Sequence, residues 1–236
     1  MKIGVVHTSS NNAMPLLELA RETHPDVKLI NFVDEALWEH VLASGGTMTK
    51  KCRDILAADF NRLADAGCDA AGLLCSLVKE GIDDVRVQVP IPIIIYDDAA
   101  AERAVAVTPD GGRIAVAAMK QTPLPLGAQA VQQASKRAQK TILVDQICVT
   151  PQAYSSPAAC GGFTEDDVFI AWLKTHQDAY SAFVIPQVPL SRIMPRIRDM
   201  TTPMFDSMGP FLDRLTKDPW GGFEGTMTSA QRVATV

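Results

Sequence analysis

An α/β fold in two related domains is what this sequence predicts, and three observations carry that expectation. Short β-like apolar runs alternate with longer helical stretches, the order that lays helices over parallel strands. At 236 residues, 47% of them apolar, the chain can bury a sizeable core as one large domain or two small ones. The two halves also echo each other: KIGVVH at Lys2 with RIAVAA at Arg113, AAGLLC at Ala70 with AFVIPQ at Ala182, and IPIIIYD at Ile91 with TPMFDS at Thr202. Three echoes in the same order point to a duplicated, pseudo-symmetric unit.

Taken along the chain, strands are expected at 2–7, 27–32, 70–75, 91–95, 113–118, 140–149, 182–186 and 203–205. A long helical region at 47–66 separates the second from the third, and Gly67 closes it as a C-cap. Further helices are expected around Glu102 and at 125–138, 165–176 and 209–216. AVTPDGG, 106–112, reads as a crossing linker, with Pro109 and a DGG turn. A second linker is expected near 200–203. The domains then comprise 1–105 with 204–236, the last helix returning to the first domain, and 106–203. From Pro219 the chain shows no clear core periodicity and is expected to be loosely ordered.

Composition narrows the partners. With 27 acidic against 22 basic residues and a net charge of −5, no broad basic surface for nucleic acid is expected. The longest apolar runs, 91–96 and 182–189, fall far short of the roughly 20 residues a membrane helix requires. The start, MKIGVVHTSS, enters a β-like run without a secretory core, so a cytoplasmic protein acting on a small molecule is expected. Homo-oligomerisation is compatible with this architecture. No glycine-rich phosphate fingerprint is present, since the pairs at Gly45, Gly111 and Gly161 are isolated turns.

Five cysteines lie far apart, an odd number without a CxxC pair, which fits neither a disulfide framework nor a zinc knuckle. Cys68 and Cys148 read as packing residues, Cys52 as part of an exposed KKCRD helix face, and Cys160 as an inert loop residue. Cys75 differs by position. It ends a strand, where open parallel sheets bind ligands. A helix starting within 76–80 would favour its thiolate and lower a free-cysteine pKa of about 8.5.

The segments KIGVVHTSS, LINFVDEALWEHVLASGG, AGCDAAGLLCSLV and TPMFDSMGPFLDRL, in this order up to about Leu215, resemble the aspartate/glutamate/hydantoin racemase superfamily, which also includes arylmalonate decarboxylase. The resemblance implies two Rossmann-like or flavodoxin-like α/β domains, a cleft between them that holds a small carboxylate or related substrate, and no metal or organic cofactor. Racemases of this type use one cysteine per domain to move a proton on opposite faces of one carbon. Cys75, in LLCSL, fills the first place, with Leu77 where the family carries a second polar residue.

The second place departs from the pattern. Setting AAGLLC against AFVIPQ puts Gln187 opposite Cys75, and Gln187 has no titratable proton, although it donates and accepts hydrogen bonds. Two-cysteine racemisation is thus disfavoured, and three one-thiol chemistries remain. Cys75 acts as the base of an isomerase while Gln187 steadies a developing enolate oxygen; or it delivers a proton after decarboxylation; or it racemises with another base. His7, which ends the first strand, is the candidate for that base. A catalytically silent binding protein is the reading from another class. For substrate binding, hydroxyls and backbone N–H groups at a helix start point to Thr8, Ser9, Ser10 and Asn11, with Ser76 beside the cysteine, ordinary helix capping being the alternative; the resemblance adds Gln121 and Thr122 in AAMKQTPLPL. Lys120, His40, His176, Asp34 and Glu35 read as solvated or scaffold residues.

Overall fold

A computed structural model describes residues 1–75, 78–149 and 164–219. Contacts divide the chain into two compact units, Met1–Tyr96 with the chain from Phe211 onward, and Asp97–Pro210. The divisions fall at 96/97 and 210/211, where the sequence suggested 105/106 and 203/204.

The first unit is built on β1 (Lys2–His7), β2 (Lys28–Val33), β3 (Ala70–Leu73) and β4 (Ile93–Ile95), parallel throughout, in the order β2-β1-β3-β4. Its helices are α1 (Ala13–Thr23), α2 (Glu35–Ala43), α3 (Lys50–Asp65) and the short α4 (Ile82–Arg86). The second unit opens with α5 (Tyr96–Val107), whose first residue still groups with the first unit. It continues with β5 (Arg113–Ala118), α6 (Leu124–Arg137), β6 (Leu143–Cys148), α7 (Glu165–His176), β7 (Ala182–Ile185) and β8 (Met204–Asp206), in the order β6-β5-β7-β8. The last helix, α8 (Gly209–Lys217), begins in the second unit and joins the first from Phe211. The two sheets share one topology, as a duplicated unit requires. No described helix is long and apolar enough to cross a membrane.

Both faces of the first sheet are covered, which is why its strands read as nearly continuous apolar runs. On one face, Val6, Ala71, Leu73, Ile93 and Ile95 pack with Leu56, Phe60 and Leu63 of α3. A Cβ on Gly4 would come within 2.7 Å of Leu63. On the other face lies α8: a Cβ on Gly72 would run into the Phe211 ring and come within 2.9 Å of Leu215. Here glycine is needed for closeness rather than for its backbone freedom. His24 faces Asp213 of α8 at 3.2 Å from the end of α1.

Several elements differ from the sequence reading, each for a local reason. α3 starts at Lys50, because the Thr49 side chain accepts from the Cys52 N–H and caps it. It ends before Gly67, which takes the left-handed φ of +76° expected of a C-cap. Cys52 is buried with the Thr49 hydroxyl against its sulfur, so the KKCRD face is not exposed at that residue. No helix starts at 78–80; Gly81 is left-handed at φ +72° and the following helix begins at Ile82. Residues 106–112 form the end of α5 and the turn into β5, inside the second unit. Lys140 Nζ holds them there by donating to the carbonyls of Val105, Ala106 and Thr108 at 2.8, 3.2 and 2.7 Å. The tail from residue 220 and Cys160 lie outside the described residues.

One buried carboxyl is unusual. Asp34 caps α2 through the Leu37 N–H at 2.9 Å, and Asp59 of α3, 1% exposed, feels the Asp34 charge while pairing with Arg62 at 2.9 Å. Burial first, then the Asp34 charge, push the Asp59 carboxyl up to about 7 against the opposing Arg62 charge.

Two expectations follow from this packing. Gly72→Ala should lower stability by about 1–3 kcal/mol in denaturant unfolding, because the added methyl meets the Phe211 ring. Folded Asp59 keeps its proton to about pH 7, whereas the unfolded chain releases it near 3.8. Unfolding free energy should therefore fall as pH climbs between those values, by at most about 4 kcal/mol, and Asp59→Asn should flatten that decline.

Candidate functional site

In an open parallel sheet the strand order reverses at one place, and the crevice beyond the carboxyl ends of the two strands there is where ligands bind. In the first unit that place lies between β1 and β3, since β1 leads to β2 on one side and pairs with β3 on the other. In the second unit it lies between β5 and β7. The residues singled out in the sequence fall at these two sheet ends.

His7 is the last residue of β1 and fully buried, with Nε2 2.9 Å from Asn31 Oδ1. Burial pushes its ring below the usual value near 6.5, and the Asn31 hydrogen bond opposes that shift. Cys75 lies two residues past the end of β3, half-buried, its side chain packed against the α3-side cluster that holds Val6 and Leu73. The ladder between these strands continues beyond β3, as the Leu74 N–H donates to the Val6 carbonyl at 3.0 Å.

Strand alternation separates the two groups. His7 shares its face with Val5, whose register partner Gly72 lies under α8. Cys75 belongs to the α3 side. They end neighbouring strands from opposite faces of one sheet. The helix start expected just after Cys75 is not what fixes its chemistry, because the nearest described helix begins seven residues on at Ile82. A dipole that acts over the first turn does not extend so far. Ser76 lies outside the described residues.

The loop after β1 holds Thr8, Ser9, Ser10 and Asn11. Thr8 is buried, Ser9 half-buried, and Ser10 and Asn11 exposed. Residues Ser10–Asn12 make a single 3-10 turn before α1, and neither Ser9 nor Asn12 caps with its side chain. Ordinary capping therefore does not account for them. Ser10 is already engaged: its N–H donates to Glu35 Oε1 at 2.9 Å, and the Ser10 backbone and hydroxyl hold the Glu35 carboxyl below its usual value. Glu35 thus acts as scaffold for this loop.

In the second unit the register makes the internal equivalence explicit. Ile3 pairs with Ala70, and its counterpart Ile114 pairs with Ala182, so counting five residues along each strand sets Cys75 against Gln187. Gln187 is half-buried, and its Oε1 accepts from the N–H groups of Met119 at 3.0 Å and Lys120 at 3.1 Å. The side chain therefore ties the loop after β5 to the end of β7. Its acceptor is spent, and what remains for a ligand is the Nε2 donor. Gln121 and Thr122, in the same loop, are both exposed.

Two participants escaped the sequence reading. Asn31 had a signal, a lone amide within the apolar strand KLINFV. The N–H groups of Met119 and Lys120 had none, since backbone donors leave no mark on side-chain patterns. Gln187→Leu should strand these two N–H groups and lower stability by about 1–3 kcal/mol. Gln187→Glu, which keeps an acceptor, should lose less; paired denaturant titrations measure both.

Several solved racemases and racemase homologues are similar to this chain in fold. An aspartate racemase homologue from Pyrococcus horikoshii OT3 superimposes with a TM-score of 0.65 at 14% identity, over 91% of this chain and 96% of its own. Allantoin racemase from Klebsiella pneumoniae gives 0.61 at 13% identity, over 91% and 86%. Glutamate racemase from Aquifex pyrophilus gives 0.55 at 15%, over 91% and 82%. No protein-family model and no curated protein sequence matches the chain. Two four-stranded parallel sheets of identical strand order, each covered by helices, give this chain the fold of these solved aspartate, glutamate and allantoin racemases.

Proposed function

We propose that the chain is a cofactor-independent isomerase of the racemase type, acting on a small carboxylate-bearing or hydroxylated molecule. The observation that carries this reading is the placement of Cys75 and His7 at the ends of neighbouring strands, on opposite faces of the first sheet. Inversion at carbon requires a proton to leave one face and arrive on the other, so two acid/base groups on opposite sides are its minimum equipment. The shared fold of solved aspartate, glutamate and allantoin racemases supports the reading.

In the proposed cycle, neutral His7 takes the proton from the carbon next to a carboxylate. The C–H bonding pair moves into the carboxyl group, giving an enediolate. The Cys75 thiol then protonates the opposite face of that carbon and becomes a thiolate. Histidinium and thiolate serve the reverse direction, and exchange of one proton between them or with water restores the starting state. Thr8 and Ser9, with Ser76, would hold the rest of the substrate, and Ser10 would shape the loop through Glu35.

A second reading has its own support. Gln187 stands where the internal repeat would place a second thiol, and a single thiol suffices to deliver one proton after loss of carbon dioxide from a malonate-like acid. The two chemistries separate in one assay. In deuterated water, racemisation should exchange the hydrogen next to the carboxylate in a panel of small amino and hydroxy acids, followed by proton NMR, and Cys75→Ala should reduce the interconversion of enantiomers, followed by chiral chromatography, at least about 100-fold. Undiminished inversion in Cys75→Ala would remove this residue from the mechanism. Carbon dioxide released from arylmalonates without exchange would favour decarboxylation, and thermal stabilisation by ligand without turnover would favour a silent binder.

A further inference from the structure

His7 carries two ring nitrogens with different surroundings. Nε2 faces Asn31 Oδ1, whereas Nδ1 is buried and has no hydrogen-bond partner. Asn31 sits on β2 at the register position of Val5, two residues behind His7 on the same sheet face. Its own Nδ2 donates to the carbonyl of Ala13, the first residue of α1, at 3.4 Å. A carbonyl can only accept, so the amide group of Asn31 turns its NH₂ toward Ala13 and its oxygen toward His7. That oxygen in turn can only accept. The ring proton must therefore be on Nε2, and burial disfavours a second proton.

We propose that Asn31 is a positioning residue that locks His7 in the Nε2–H tautomer and leaves Nδ1 as an unprotonated, desolvated base at the end of β1. This deepens the reading of His7 as the second acid/base group and rests on it for its catalytic meaning; the tautomer itself does not. The chain of donors runs from the imidazole through Asn31 to the start of α1, so the helix that follows the β1 loop also orients the base. An isolated lone pair in a buried site carries an unsatisfied acceptor's cost. A substrate C–H next to a carboxylate, or an O–H or N–H group beside it, is the kind of partner that removes the cost. Apolar ligands do not.

The test is long-range proton–nitrogen NMR on the full chain labelled with nitrogen-15 histidine. The chain has four histidines, and the His7 signals are those missing from His7→Gln. The wild type should show His7 with Nε2–H in roughly tenfold excess over Nδ1–H, and ring protonation only below the usual pH. Asn31→Asp, nearly isosteric, should raise the protonation midpoint by about one unit or more, because a carboxylate beside Nε2 favours imidazolium. Asn31→Leu should abolish the tautomer preference. An Nδ1–H tautomer in the wild type would overturn the proposal even if neither variant folded, and so would an unchanged His7 spectrum in a folded Asn31→Leu. If the spectra follow these expectations while His7→Gln retains full interconversion of enantiomers, the positioning role of Asn31 stands and the catalytic reading of His7 fails.

Discussion

The parallel ladder between β1 and β3 fixes the relative position of the two groups at the centre of the proposed chemistry. Register in a sheet is set by backbone hydrogen bonds and by the burial of alternate side chains, and a slip of one residue would exchange the faces. Here Val6 pairs with Leu73, and both are buried on the α3 side, while Val5 pairs with Gly72 beneath Phe211. Each face has its own covering helix. Neither His7 nor Cys75 can change sides without moving that packing.

The two halves of the chain use the same frame differently. In the first unit the strand order leaves a histidine and a cysteine at the switch point. In the second, the equivalent of the cysteine is a glutamine whose carboxamide oxygen takes up two consecutive backbone N–H groups. That side chain satisfies donors which a loop past a strand end would otherwise leave to water or ligand. It also leaves the unit without a titratable group at that position.

Glycine and buried polar residues mark where the frame is tightest. Gly4 and Gly72 permit close approach of α3 and α8 to opposite faces of the first sheet. Asp59 of α3 pairs with Arg62 and has its carboxyl raised by burial beside the Asp34 charge at the start of α2, and Lys140 gathers three carbonyls at the end of α5. These polar contacts settle how loops join the helices. Apolar burial alone would leave those loop positions loosely specified.

Eight strands, the internal repeat and the positions of Cys75, His7 and Gln187 at strand ends could be read from the sequence. Apolar runs, turn residues and order along the chain are local signals, and duplication makes each half a check on the other. The helix start expected within 76–80 does not appear at 78–80, and the next described helix begins at Ile82 behind the left-handed Gly81. The linker at 106–112 looked free because its anchor, Lys140, comes more than 25 residues later. Cys52 looked exposed because its neighbours are charged, although its own side of α3 faces the core. Only the tertiary structure decided that His7 and Cys75 belong to opposite faces, that Asn31 carries the imidazole proton's partner, and that Gln187 has already spent its acceptor. Those facts arise from strand register and side-chain hydrogen bonds between residues distant in sequence, and no local pattern of residue types encodes them.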